Sequence, residues 1–157
     1  MADAEGLKLR KRFLRPYLWA GTEHLFLALP LTYMNRSGTV IPDLRRRASA
    51  EPADIVVVCD NMDLPPGIVR IKRRGTSRNH NGIASVMDAL GSGEFTRLYV
   101  GVGRPERPEA VVEHVLSAPA AAERPLYESA IEQATEAVRM LAREPLDRVM
   151  NHVNQSR

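Results

Sequence analysis

Ile55-Val56-Val57-Val58-Cys59-Asp60-Asn61-Met62-Asp63-Leu64-Pro65-Pro66-Gly67 opens with five apolar residues, four of them β-branched. The run is too short for a free-standing buried helix and suits a strand covered on both faces, as in a parallel sheet. A central strand is the expectation. It runs into an acidic loop closed by Pro65, Pro66 and Gly67, which places Asp60 at the strand's carboxyl end. In open α/β sheets ligands collect at that edge, so Asp60 is the first candidate for a working carboxylate.

Downstream, Gly67-Ile68-Val69-Arg70-Ile71-Lys72-Arg73-Arg74 alternates apolar and basic residues over most of its length, which sets Arg70, Lys72 and Arg74 on one face of a strand. Such a row is either a solvated face or a contact for something negative. Gly75 to Gly82 reads as a polar loop, Ile83 to Leu90 as a short amphipathic helix stopped at Gly91, and Phe95 to Val102 as another strand. Val111, Val112, Val115 and Leu116 suggest a further short helix. Leu126, Ala130, Ile131, Ala134, Val138 and Leu141 recur at helical spacing and mark a long one, followed by a last turn or two with Leu146, Val149, Met150 and Val153.

Upstream, His24 to Pro30 reads as a strand stopped by its proline, and Thr32 to Gly38 as a tight turn into a helix with Ser37 as cap. Val40, Ile41 and Leu44 form that helix's buried side, while Arg45, Arg46 and Arg47 face water where the helix dipole favours cations. Residues 1–21 mix Lys8, Arg10, Lys11, Arg12 and Arg15 with apolar and aromatic side chains. Either a partly buried strand with a solvated face or a nucleic-acid arm fits that mixture. Strands alternating with helices predict an α/β layered sheet.

With 157 residues and 44% hydrophobic content, the chain is long enough for a single domain spanning 1–157. The net charge of +3 is mild. One cysteine excludes an internal disulfide and suits a reducing compartment. The apolar runs are far shorter than a membrane span, and Met1 to Gly21 has no signal-peptide core, so a soluble cytoplasmic protein without membrane partners is expected.

Three polar clusters follow strands or open helices: Tyr33-Met34-Asn35-Arg36-Ser37-Gly38, Asp60-Asn61-Met62-Asp63-Leu64-Pro65 and Asn79-His80-Asn81-Gly82. An Asn at a loop-to-helix junction is by default a cap or turn former. The clusters share a placement, however, and amide donors, an acid and a basic rim suit hydrolysis of an ester attached to a polyanion. The four His have no paired metal-ligand spacing, so no metal site is expected. Cys59 reads as a buried structural thiol rather than a nucleophile. Gly101-Val102-Gly103 is too short for a dinucleotide fingerprint, and there is no P-loop.

Pro30 to Gly38 resembles the P-x-T-[FY]-M-N-x-S-G segment of bacterial peptidyl-tRNA hydrolases, Asp60 to Gly67 their D-[DE]-x-D-L-P-x-G loop, His80-Asn81-Gly82 their H-N-G, and Leu98 to Pro105 their L-R-I-G-I-G-R-P. The order and spacing match from about residue 24 to the C-terminus, with 1–21 weakly matched. The resemblance implies a mixed, mostly parallel twisted sheet with helices on both faces. It also implies hydrolysis, without metal or cofactor, of the ester joining peptide to tRNA, which recycles tRNA from aborted translation. In that mechanism a His activates water and a carboxylate orients it. Matched by motif, Asp60 is the orienting acid. Asn35 binds the peptide backbone and anchors the base, and Asn81 positions water or polarises the carbonyl. Tyr33 contacts the terminal adenosine, Met34 packs under the substrate, Arg70 and Lys72 take phosphates, and His80 is a supporting residue behind the site.

The departures carry expectations of their own. Asn61 replaces an acid, Thr76 to Asn79 replaces a glycine-richer approach, and Tyr99 replaces a common Arg. In the family a first strand, a G-L-x-N-P-G loop and an R-H-N segment with the general-base His precede the matched region. Met1 to Gly21 resembles none of these and no His precedes His24. The expectation is therefore a fold incomplete at the N-terminus, lacking the base, with its turnover in question. Such a chain exposes unpaired strand edges and is expected to self-associate. A non-catalytic tRNA- or RNA-binding protein, a truncated relic of the family, and an enzyme using His80 or His114 as a substitute base are the alternatives.

Overall fold

The computed structural model describes residues 2, 6–11, 13–77, 79–105 and 111–155. The chain divides into two compact units, residues 1–57 with 73–96 and residues 58–72 with 97–157.

In the first unit β1 (Arg10–Lys11), β2 (Tyr17–Gly21) and β3 (Phe26–Pro30) form an antiparallel sheet in that order. Tyr17 lies opposite Pro30 and Ala20 opposite Leu27, and Leu31 N–H donates to the Pro16 carbonyl at 2.7 Å, so prolines bound both strands of the hairpin. Trp19 and Phe26 stack at 5.5 Å between ring centroids. The chain then winds into a 3-10 helix, Met34–Val40, and on into α1 (Ile41–Ala48). Pro42 sits in the first turn of α1, where its missing N–H costs nothing. The helix ends on Ser49, whose φ of 50° is left-handed. The expected turn over Thr32 to Gly38 is thus largely helical, and Ser37 lies inside the 3-10 segment instead of capping it. Later in the unit, α2 (Asn81–Leu90) stops at Gly91, φ 65°, the left-handed C-cap its sequence predicts.

A second sheet, most of its residues in the second unit, runs in the order β4 (Val56–Asn61), β6 (Thr96–Gly101), β5 (Val69–Lys72). β5 and β6 are antiparallel, with Ile71 opposite Leu98. Thr96 N–H donates to Ile55 and Val102 N–H to Asn61, and because the partners rise together β4 and β6 are parallel. The class is mixed α/β, as expected, but among the described strands only β4 and β6 pair in parallel, so the expected mostly parallel sheet is mostly antiparallel. The central strand is β6, with Arg97 and Leu98 fully buried. The Val-rich strand β4 forms one edge of the described sheet, and Val58 is 50% exposed. A β-branched run reports that a strand is apolar; it does not report how many neighbours pair with it.

The other edge is covered. Asn154 on α5 (Leu146–Gln155) accepts from Ile71 N–H at 2.9 Å and donates to the Ile71 carbonyl at 3.0 Å, satisfying both backbone groups of one β5 residue. α4 (Arg124–Leu141) buries Ala130, Ala134, Ala137 and Val138, while Ile131 is exposed, so its small residues make the contact face. In α3 (Val111–Leu116) the expected apolar side is open, with Val112 and Leu116 both exposed. No described helix is long and apolar enough to cross a membrane.

Candidate active site

Tyr33 has extended backbone and stands at the start of the 3-10 helix, 82% exposed. Its carbonyl accepts from Arg36 N–H at 2.8 Å, and the Arg36 carbonyl accepts from the Thr39 hydroxyl at 2.8 Å, which fixes the turn. Leu31, Thr32, Tyr33 and Arg36 line an open cleft of about 450 Å³.

Glycine lets this segment meet α2. A Cβ on Gly38 would lie 1.9 Å from the Ser85 carbonyl oxygen, and Gly38 N–H donates to Ser85 Oγ at 2.9 Å. A Cβ on Gly82 would lie 2.6 Å from Met34 Sδ, so the thioether rests on the first turn of α2, beside Asn81. The 3-10 segment that carries Met34 and Asn35 thereby packs against α2, whose first residue is Asn81.

His80, and not an asparagine, caps α2: its Nδ1 accepts from Gly82 N–H at 3.1 Å and Ile83 N–H at 3.2 Å. Asn79 supplies the left-handed turn before it with φ 65°, so the lack of glycine there is met by the residue type that next best tolerates that region. With the cap filled by His80, Asn81 is the first helical residue. Asn35 and Asn81 are both exposed, and neither amide has a hydrogen bond among the described residues.

Asp60, Arg70 and Lys72 belong to the second unit. Asp60 is half-buried near the end of β4. In the loop after it, Asn61 Oδ1 accepts from Asp63 N–H at 2.8 Å, an Asx turn, and Gly67 has φ 88°. Asp63 is held by Arg104, Nε at 3.1 Å and Nη2 at 2.5 Å. Gly103 N–H donates to Leu64, and a Cβ on Gly101 would meet the Pro65 carbonyl at 2.0 Å, so the acidic loop lies against the exit of β6. His114 Nε2 faces the Val102 carbonyl at 2.9 Å and the Gly103 carbonyl at 3.2 Å. Cys59 has its thiol pushed up to about 12, first by burial and then by Asp60, in keeping with a structural thiol.

The expected cationic row is shorter than its sequence. β5 ends at Lys72, and Arg74 lies beyond it, 3.7 Å from Glu94. Arg70 is half-buried and donates to the Val69 carbonyl at 2.7 Å, while Lys72 at the strand end is exposed.

A charged cluster went unforeseen. Asp43, 8% exposed, accepts from the Tyr17 hydroxyl at 2.6 Å and from Arg47 Nε at 3.0 Å, with Arg46 and Arg15 on its other oxygen. The Tyr17 hydrogen bond, then Arg47, hold its carboxyl far below the usual carboxylate range. Burial, then Asp43, raise the Tyr17 hydroxyl. The Arg spacing from Asp43 was a visible i+3, i+4 signal. Tyr17, 26 residues away, was not.

A family model described as peptidyl-tRNA hydrolase matches residues 2–157. The chain belongs to the peptidyl-tRNA hydrolase family. That match takes in residues 2–23, ahead of the four motifs. Among relatives named peptidyl-tRNA hydrolase, that of Methylococcus capsulatus is 42% identical over 133 residues, covering 85% of this chain and 71% of its own. That of Brevibacillus brevis is 36% identical over 157 residues, covering 98% of this chain and 83% of its own. The crystal structure of the peptidyl-tRNA hydrolase of Acinetobacter baumannii superposes with a TM-score of 0.89 at 30% identity, over 98% of this chain and 80% of that one.

Proposed function

We propose that this chain hydrolyses the ester joining peptide to tRNA, and that it works in the cytoplasm, where translation supplies that substrate. The observation that carries the proposal is the seating of Met34 on Gly82 in a member of this family, which packs the segment that carries Asn35 against the helix that begins at Asn81. An amide held near a scissile carbonyl stabilises the oxyanion that forms on attack by water. In this reading Asn81 positions water or polarises the carbonyl, Asn35 holds the peptide backbone, and Tyr33 takes the terminal adenosine with Met34 beneath the substrate. Asp60 orients an imidazole, and Arg70 and Lys72 bind phosphate.

Two imidazoles have a ring nitrogen already committed, which limits who the base is. His80 Nδ1 accepts two backbone N–H groups, so in the neutral ring its proton sits on Nε2. His114 Nε2 faces two carbonyls and must carry a proton, leaving Nδ1 as its lone pair. The occupied lone pair of His80 supports a second reading, that the chain binds tRNA without turning it over, whereas His114 keeps a basic nitrogen. Incubation with peptidyl-tRNA separates the two. Turnover that falls roughly 10²–10³-fold in Asn81→Ala supports the enzyme. Binding without release of peptide, weakened by Arg70→Ala with Lys72→Ala, supports the second reading. Self-association belongs to the proposal too, through the apolar β4 edge: Val58→Lys is expected to lower the mass seen by light scattering, and a monomeric wild type would overturn this part.

A further inference from the structure

Positive charge is gathered in one part of the sequence. Residues 6–48 hold nine Lys and Arg against two Asp and Glu, a net +7, in a chain whose total is +3. The structure organises part of that excess around Asp43. Its single negative charge meets three guanidiniums, and Tyr17 and Arg47 already occupy Oδ2. Arg15 and Arg46 share the other oxygen with side chains 41% and 69% exposed. A guanidinium carries five N–H donors, so both keep donors directed at solvent. Two arginines tethered to one carboxylate are also held in place before any ligand arrives, which lowers the entropy cost of binding.

The adjoining sheet extends this surface. Tyr17 and Trp19 alternate onto one face of β2, and Arg10 pairs directly opposite Trp19, so Arg10 shares that face. Trp19 stacks on Phe26 there, both half-buried. Lys11 pairs opposite Leu18 and falls on the other face. The acids nearby in sequence have partners of their own, Glu51 with Arg45 at 3.0 Å and Glu23 beside His24 at 4.0 Å.

We propose that this face, formed by Arg10, the Trp19–Phe26 pair, Arg15 and Arg46, binds the phosphodiester backbone of RNA, which for the substrate proposed above is the body of the tRNA. Guanidiniums match phosphate oxygens in pairs. A stacked aromatic pair beside cations suits a nucleic acid, with its bases, better than a lipid headgroup. The inference rests on the peptidyl-tRNA reading for the identity of the RNA.

The test measures binding of deacylated tRNA to the full chain across a salt series, with no turnover required. Removing one phosphate-binding cation lowers the slope of log K against log salt by about 0.7–0.9. Arg15→Gln with Arg46→Gln is expected to lower it by about 1.4–1.8, Arg10→Gln by about 0.7–0.9, and Lys11→Gln, equal in charge change but on the opposite face, to leave it unaltered. Tyr17, Asp43 and Arg47 stay intact to keep the buried carboxylate satisfied. If the double variant does not fold, Arg10→Gln against Lys11→Gln decides. Equal slopes in all variants overturn the proposal, as does binding to phosphatidylserine–phosphatidylcholine vesicles that depends on these arginines while tRNA binding does not. Should wild type release no peptide yet bind tRNA through these arginines, the ester-hydrolysis reading falls and this surface stands.

Discussion

Gly38→Ala puts a methyl carbon where no side chain fits. The new Cβ would lie 1.9 Å from the Ser85 carbonyl oxygen and 2.5 Å from its carbon, both backbone atoms of α2. Ordinary contact begins near 3.4 Å, so the 3-10 helix and α2 must separate by about 1.5 Å. That shift breaks the bond from Gly38 N–H to Ser85 Oγ, worth about 1 kcal/mol, and adds an overpacking cost of about 1–3 kcal/mol. The sum, about 2–4 kcal/mol, lowers the melting temperature of a chain this size by roughly 4–16 °C. Gly75→Ala is the control, because nothing lies within 4 Å of its Cβ and its φ is not left-handed; it should be neutral or stabilising by up to about 1 kcal/mol. Thermal melts of the three proteins check this. Gly38→Ala melting within the error of wild type would refute the close approach, and with it the packing of the 3-10 segment on α2.

Other outcomes follow from the same geometry. A carboxyl depressed in the folded state supplies stability that is complete above its unfolded value and lost as acid protonates it. Wild type should therefore lose more urea resistance than Asp43→Asn between about pH 5 and about pH 3, and parallel loss would remove Asp43 as the cause. Cys59, its thiol pushed up to about 12, should react with a maleimide at neutral pH roughly 10³-fold more slowly than an unperturbed cysteine; labelling at the rate of a small thiol contradicts its burial. His80→Ala should cost about 1 kcal/mol in denaturant melts by uncapping α2, and His80→Asn, a good cap, should recover most of it. Equal losses in the two would mean that His80 acts otherwise than as a cap.

What the sequence disclosed was what depends on neighbours along the chain. Gly91 marks the end of α2 because only its own φ is at issue, and Pro30 ends β3 for a similarly local reason. Pairings set by distant residues stayed hidden. The strand after Ile55 was found, but its place at the edge depends on β6, some 40 residues later. Arg45 to Arg47 looked like a solvated end, yet Arg47 turns inward to an aspartate that Tyr17 helps to bury. The helix stripe in α4 was right in period and at Ala130, Ala134 and Val138, while Leu126 and Ile131 are exposed. In the candidate site, the motifs named Asn35 and Asn81, but the packing of their two segments is visible only in the contact of Met34 with Gly82.

Net charge says less than its placement for a related reason. Electrostatic attraction between exposed groups is screened beyond about 8–10 Å at physiological salt, so a bound polyanion feels the charges within that radius and not the total for the chain. A sum of +3 describes a nearly balanced protein, whereas residues 6–48 carry +7 and the remainder is correspondingly acidic. Asp43 sharpens the contrast. A buried acid answered by one arginine would be neutral; answered by three, it becomes a scaffold that holds excess positive charge at the surface. The carboxylate that stabilises the junction of β2 and α1 is thus also what orders the arginines, so stability and binding should fail together in Asp43→Asn and separately in Arg46→Gln.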